Sequence, residues 1–133
     1  MPVAHRIFVP LAPEQALQLF TPVGEREWAP HWAPVFPAGE HGDGAAPGTV
    51  FLTGDTHWVV VDRAADRIRY ARVTPGVRAG TVEVRLAPHQ GGAIAEVTYE
   101  MTAIALDDEF EPALHDWEPA IAAALAARQE SRA

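Results

Sequence analysis

Tyr70 and Arg72 stand two residues apart in the run Ile68-Arg69-Tyr70-Ala71-Arg72, and Tyr99 lies in a second alternating run. A guanidinium and phenols on two strands suit the holding or protonation of a carbonyl oxygen, with His57 as a further candidate. An arginine turned toward a dry interior is costly unless a carboxylate or a ligand anion meets it. Polar strand residues ordinarily face water, so the plainer expectation puts Arg72 at a solvent-facing edge. Tyr99 would then be a core residue with its hydroxyl satisfied. Orientation decides between the two.

Other chemistries have less to stand on. Ser131 is the only serine, there is no cysteine, and the absence of lysine excludes Schiff-base catalysis. The histidines are His5, His31, His41, His57, His89 and His115, and none shares HxH or HExxH spacing with another. Asp55-x-His57 is the nearest approach to a shared strand face. Neither a metal nor a cofactor is therefore expected. Gly42-x-Gly44 sits in a loop with no helical pattern after it, which argues against a phosphate cradle.

The net charge is 10 − 18 = −8 and the isoelectric point about 5.1. No basic stripe tracks phosphates, Arg63, Arg67, Arg69 and Arg72 being the nearest thing to one, so no nucleic-acid partner is expected. With 133 residues, 48% of them hydrophobic, the chain reads as one domain with a real core. No apolar run is long enough to span a bilayer, and MPVAHRIFVP lacks the pattern of a secretory signal. A cytoplasmic protein is the expectation. All ten basic residues are arginine and alanine is abundant, which hints at a GC-rich bacterial genome.

The elements that must position these groups follow from periodicity. Val3 to Val9 reads as a strand, and Pro13–Phe20 as a short helix with Ala16, Leu17 and Phe20 on one face. Thr21 then caps a second short helix that stops at Trp28, because the residue before a proline is pushed off helical angles. Ala38–Gly48 reads as a mobile glycine-rich loop. From Thr49 the period becomes two, giving strands over Thr49–Thr53, His57–Arg63, Ile68–Thr74, Thr81–Leu86 and Ala93 to about Ala105. In the last, Ala95, Val97, Tyr99, Met101 and Ala103 share the dry face. Asp107-Asp108-Glu109 is read as opening a final helix, with Phe110, Leu114, Trp117, Ile121 and Leu125 as its apolar stripe. Pro112 would mark its first turn, and Pro119 would kink it near Trp117.

Thr21 to Pro37 carries two Trp-Ala-Pro repeats, at Trp28-Ala29-Pro30 and Trp32-Ala33-Pro34. Prolines at this density force a stiff course, which suits a lid over a binding site, a partner-docking ribbon or only a rigid corner of the core.

Four local patterns carry a resemblance. They are Val9-x-Leu11-Ala12-Pro13-Glu14, Thr21-Pro22-x-Gly24-Glu25-x-x-Trp28-x-Pro30-x-Trp32-x-Pro34, Ile68-x-Tyr70-x-Arg72-Val73-Thr74-Pro75-Gly76 and Trp117-x-x-x-Ile121. With the element order, the chain resembles the START-like or SRPBCC superfamily, which includes polyketide cyclases/dehydrases and lipid-transfer proteins. The resemblance implies an α+β helix-grip fold, a curved antiparallel sheet of about six strands (β-α-α-β5-α) wrapped around a long C-terminal helix. The cone-shaped ketosteroid-isomerase-like fold is the structural alternative. It also implies a hydrophobic or aromatic ligand, polyketide- or lipid-like, held between sheet and helix, with cyclase/dehydratase chemistry if the protein is an enzyme. The expected ligand-binding residues are Trp28, Trp32, His57, Tyr70, Arg72, Tyr99, Met101, Phe110, Trp117 and Ile121. The connection before the last helix is short for such proteins, which favours an open pocket. The competing reading is a non-enzymatic partner-binding or stress-related module using residues 21–37, with Trp32 exposed. A homodimer stays open under both.

Overall fold

The computed structural model describes residues 2–108, 110 and 114–132. Strand β1 (Val3–Val9) leads into helix α1 (Pro13–Gln18) and a 3₁₀ turn (Gly24–Glu27). Strands β2 (Val50–Thr53), β3 (Thr56–Ala64), β4 (Arg67–Thr74), β5 (Arg78–His89) and β6 (Gly92–Ala103) follow, then helix α2 (Trp117–Arg132) behind a 3₁₀ turn (Leu114–Asp116). The six strands form one antiparallel sheet in the order β1-β6-β5-β4-β3-β2. Short hairpins enforce the meander. Between β5 and β6, Gln90 and Gly91 both take positive φ (42° and 80°), the geometry that matches the twist of the flanking strands.

Alternation sorts the faces as the sequence suggests. Val60, Ile68, Tyr70, Val82, Val84, Leu86, Ala95, Val97 and Tyr99 are buried. Ala16 and Leu17 of α1 belong to the same core, as do Ile121 and Leu125 of α2. Burial of this one face is the main stabilising contribution.

Two expectations need correction. The acidic run does not open α2, which starts at Trp117. Asp108 instead accepts two hydrogen bonds from Arg78, at 3.0 Å from Nε and 2.5 Å from Nη2. Pro119 is thus the third residue of α2, where a missing N–H costs no helical bond, so it has no reason to kink the helix. Pro112 lies outside the described residues.

The glycine-rich run is tied down rather than free. Asp43 bonds the Ala45 amide (2.9 Å) and pairs with Arg63 (3.1 Å), its carbonyl accepts from the Val23 amide (3.2 Å), and Ala45 is buried. An aspartate that bonds the backbone two residues on makes its own turn. Elsewhere, the amide of Phe8 in β1 donates to Glu118 of α2 (2.6 Å), and Val35 exchanges two backbone bonds of 2.9 Å with Leu52 of β2. No helix among the described residues is long and apolar enough to cross a membrane.

Candidate functional site

The Thr21–Phe36 segment supplies one side of the site. The Thr21 hydroxyl donates to the Gln18 carbonyl (2.8 Å) and accepts from the Gly24 amide (2.9 Å), which locks the 3₁₀ turn against the end of α1. That turn is shorter than the helix expected from the sequence, yet it ends at Trp28 as the following proline demands. The Trp28 indole donates to the Leu19 carbonyl (2.6 Å) and the Trp32 indole to the Pro22 carbonyl (2.7 Å). Both rings are thereby oriented. Trp32 is part-buried and packs edge-on against Phe51 and Trp58, with centroids 6.1 and 5.8 Å away. This is a wall position, not the exposed one that the partner-docking reading required.

The sheet supplies the opposite side. Tyr70, Val82, Val84 and Tyr99 are buried on its inner face, and the Tyr70 hydroxyl donates to the Phe20 carbonyl (2.7 Å). Arg72 follows Tyr70 on that face and is half-buried there, correcting the solvent-facing expectation. Strand β4 is central, paired to β3 and β5, so period-two geometry turns residue 72 inward with 68 and 70. The Arg72 guanidinium lies 4.5 Å from the Trp58 ring centroid and 5.2 Å from that of Phe110. Such stacking fixes its plane and offsets part of its desolvation.

Between these walls and Trp117 of α2 lies a pocket of about 240 Å³, lined by Glu25, Trp28, Ala29, Pro30, Trp32, Trp58, Tyr70, Arg72, Val82, Val84, Tyr99 and Trp117. Larger hollows lie elsewhere, such as one of about 780 Å³ beside α1 and one of about 570 Å³ lined by Arg6, Arg67, Arg85 and Glu96, but neither includes an aromatic wall residue of this site. Of the ten residues expected from sequence, the structure places Trp28, Trp32, Tyr70, Arg72, Tyr99 and Trp117 on this wall. Phe110 stands behind it against Tyr99 and Arg72. Met101 and Ile121 pack in the core but do not line the pocket. His57 is exposed, because its neighbour Trp58 takes the inward position; that residue is a correction.

The electrostatics of the pocket are unusual. The buried Arg72 Nε has no acceptor, although the guanidinium lies close enough to the Tyr99 hydroxyl to interact with it. Burial lowers the Arg72 pKa, the positive charge of Arg78 adding to the effect, and Tyr99 opposes it. Burial raises Tyr99, helped by nearby Glu25 and countered by Arg72, and burial also lifts Tyr70 well above its ordinary value. These phenols stay protonated.

Glu25 was missed by reading the sequence. It keeps the partial exposure of a group facing a water-accessible pocket, yet is enclosed closely enough that burial lifts its pKa well above the carboxylate range. Its carboxylate has no hydrogen-bonding partner among the described residues. A signal existed: Glu25 and Trp28 are three residues apart and share a face of the turn that the sequence foretold.

The sign for stability is definite. Above its unfolded pKa, the native state must either ionise Glu25 in a poor environment or hold a proton that the unfolded chain has released. Stability therefore falls as pH rises from the unfolded pKa toward the raised folded one. Glu25→Gln is expected to raise stability at pH 7–8 by about 1–2 kcal/mol and to leave it nearly unchanged near pH 4. Melting curves across that range check this, and an equal gain at both pH values would refute the burial argument. Among the described residues no three His, Asp or Glu side chains cluster as metal ligands would.

No family model matches the sequence, and no curated protein matches it. Solved structures do match. Major latex-like protein 151 from Panax ginseng superimposes with a TM-score of 0.69 at 10% identity, over 96% of both chains. CalU16 from Micromonospora echinospora gives 0.59 at 17% identity, over 74% of this chain and 59% of its own. DynU16, from the dynemicin biosynthetic locus, gives 0.56 at 17% identity over 93% of this chain. This chain spans only 43% of DynU16, so the two longer neighbours contain much that it does not. Six antiparallel strands, a strand at the start and a helix at the end set aside the cone-shaped alternative. The chain has the helix-grip fold that its START-like sequence patterns implied.

Proposed function

We propose that this protein binds a small hydrophobic or aromatic molecule in the pocket between sheet and α2, with Arg72 and Tyr99 meeting a ligand oxygen. The observation that carries this reading is Arg72 itself. It is an inward arginine with an unpartnered Nε, stacked by Trp58 and Phe110, on the wall of an otherwise aromatic pocket. Burying a guanidinium with an unmet donor is costly, and an anionic or carbonyl oxygen beside its charge would offset that cost. At about 240 Å³ the site lies just below the range of roughly 300–1,000 Å³ that takes drug-sized ligands. Its ligand is small, or extends beyond the mouth.

The same groups suit acid–base cyclisation or dehydration of a polyketide-like substrate. The aromatic walls would fold a flexible chain, while Arg72 and Tyr99 hold an enolate oxygen. The biosynthetic locus of DynU16 is in keeping with such a substrate. Four tryptophans at the pocket give a direct readout: 1-naphthol should quench their fluorescence saturably. A carbonyl-bearing arene such as 1-acetonaphthone should bind about tenfold more weakly to Arg72→Met than to the parent, a difference of about 1.4 kcal/mol. Linear, unsaturable quenching by both arenes would defeat the ligand-binding reading.

A further inference from the structure

We infer that the ligand is bifunctional: a small arene bearing an anionic oxygen group, received by Arg72, and a hydroxyl group, received by Glu25. This deepens the proposed function and rests on it.

The 3₁₀ turn carries three charged residues, Glu25, Arg26 and Glu27. Arg26 pairs with Glu40 through two bonds of 2.7 and 3.1 Å, and Glu27 pairs with Arg128 of α2. Glu25 alone of the three turns to the pocket. On the sheet the same division recurs. Arg78 takes Asp108 and Arg63 takes Asp43, while Arg72 is left to the pocket. Two residues of opposite formal charge thus line one small aromatic site from different elements, and they are not bonded to each other. Tyr99 lines the same pocket and is close enough to feel both charges.

Their chemistry differs in a way that selects the ligand. Arg72 remains a cation, since even a lowered guanidinium pKa stays far above neutrality. Its guanidinium, on the pocket wall, offers donors to a carboxylate or an enolate oxygen. Burial favours the neutral carboxylic acid at Glu25, which both donates and accepts. A hydroxyl complements that group without bringing a second ion into a desolvated site, whereas an ammonium would have to shed its own hydration and ionise Glu25. A cationic Arg72 and an enclosed Glu25 whose burial favours its neutral form together complement a hydroxyaryl monoanion.

The test is a binding panel read by tryptophan fluorescence and calorimetry: the three hydroxybenzoate isomers, benzoate, phenol, tyramine and 1-naphthol. At least one hydroxybenzoate should bind about tenfold or more tightly than both benzoate and phenol. Arg72→Met should erase its advantage over phenol. Glu25→Leu should erase its advantage over benzoate, and Glu25→Gln, which still donates and accepts, should retain most of the gain. Melting curves establish that each variant is folded. If 1-naphthol binds but no hydroxybenzoate exceeds benzoate, the bifunctional ligand is wrong and the proposed function survives. Tightest binding by tyramine would make Glu25 a cation receptor and overturn the inference. Failure of every compound, 1-naphthol included, removes the proposed function as well.

Discussion

Replacing Gly24 by alanine is expected to destabilise the protein by about 4 kcal/mol or more, an exceptional effect for one methyl group. The cause is space rather than φ. A Cβ there would sit 1.6 Å from the Gln18 carbonyl oxygen, 2.7 Å from its carbon and 2.8 Å from the Thr21 hydroxyl. The carbonyl belongs to the last residue of α1, and the hydroxyl is the group that holds the turn, so neither can yield cheaply. The chain would have to swing the Gly24–Glu27 turn away from α1, carrying Glu25 and Trp28 out of the pocket wall. The melting temperature should fall by roughly 12–16 °C, and arene binding should be lost wherever the variant is still folded. A loss below about 1 kcal/mol would mean that turn and helix do not meet as closely as described.

The second large effect concerns Phe51, which is only 1% exposed and lies behind the pocket. Its ring stacks on Trp58 (5.5 Å between centroids, 6° between planes), meets Tyr70 edge-on at 6.0 Å and Trp32 at 6.1 Å, and touches Phe36 at 5.7 Å. Three of those four rings line the site. Phe51→Ala should cost about 3–5 kcal/mol, the usual toll for a phenylalanine cavity that cannot collapse. Phe51→Leu should recover most of it. Chemical denaturation measures the stability, and titration with 1-naphthol measures the pocket. Loss of stability with unchanged arene affinity would separate the packing of these rings from the shape of the site.

Much of this arrangement is legible in the residues, and the failures have physical causes. Ala95, Val97 and Tyr99 alternate with Glu96, Thr98 and Glu100, so the inward face of β6 reads directly from the chain. The same arithmetic put Arg72 in phase with Ile68 and Tyr70. The preference of charged residues for water argued the other way. On a central strand the pleat prevails, because turning one side chain over would break pairing on both sides. His57 fails by the same rule, standing next to an inward Trp58. Asp107 and Asp108 imitate a helix start in type and place, but a side chain from another strand, Arg78, claims Asp108. Glu25 was hidden by its company. In Gly-Glu-Arg-Glu every charge looks solvated, and only the closing of α2 and the Glu40 loop over Glu27 and Arg26 shows which one is left inside.

The bonds made by Phe8 and Val35 bear on how this molecule behaves among its own copies. β1 and β2 are the two borders of the sheet, where unpaired amides and carbonyls invite an incoming strand. At one border Glu118 occupies the Phe8 amide, and at the other the Val35 segment takes both backbone groups of Leu52. A strand arriving at either side finds its hydrogen-bonding template interrupted. Growth by sheet extension, the first step toward fibres, is thereby disfavoured at both borders.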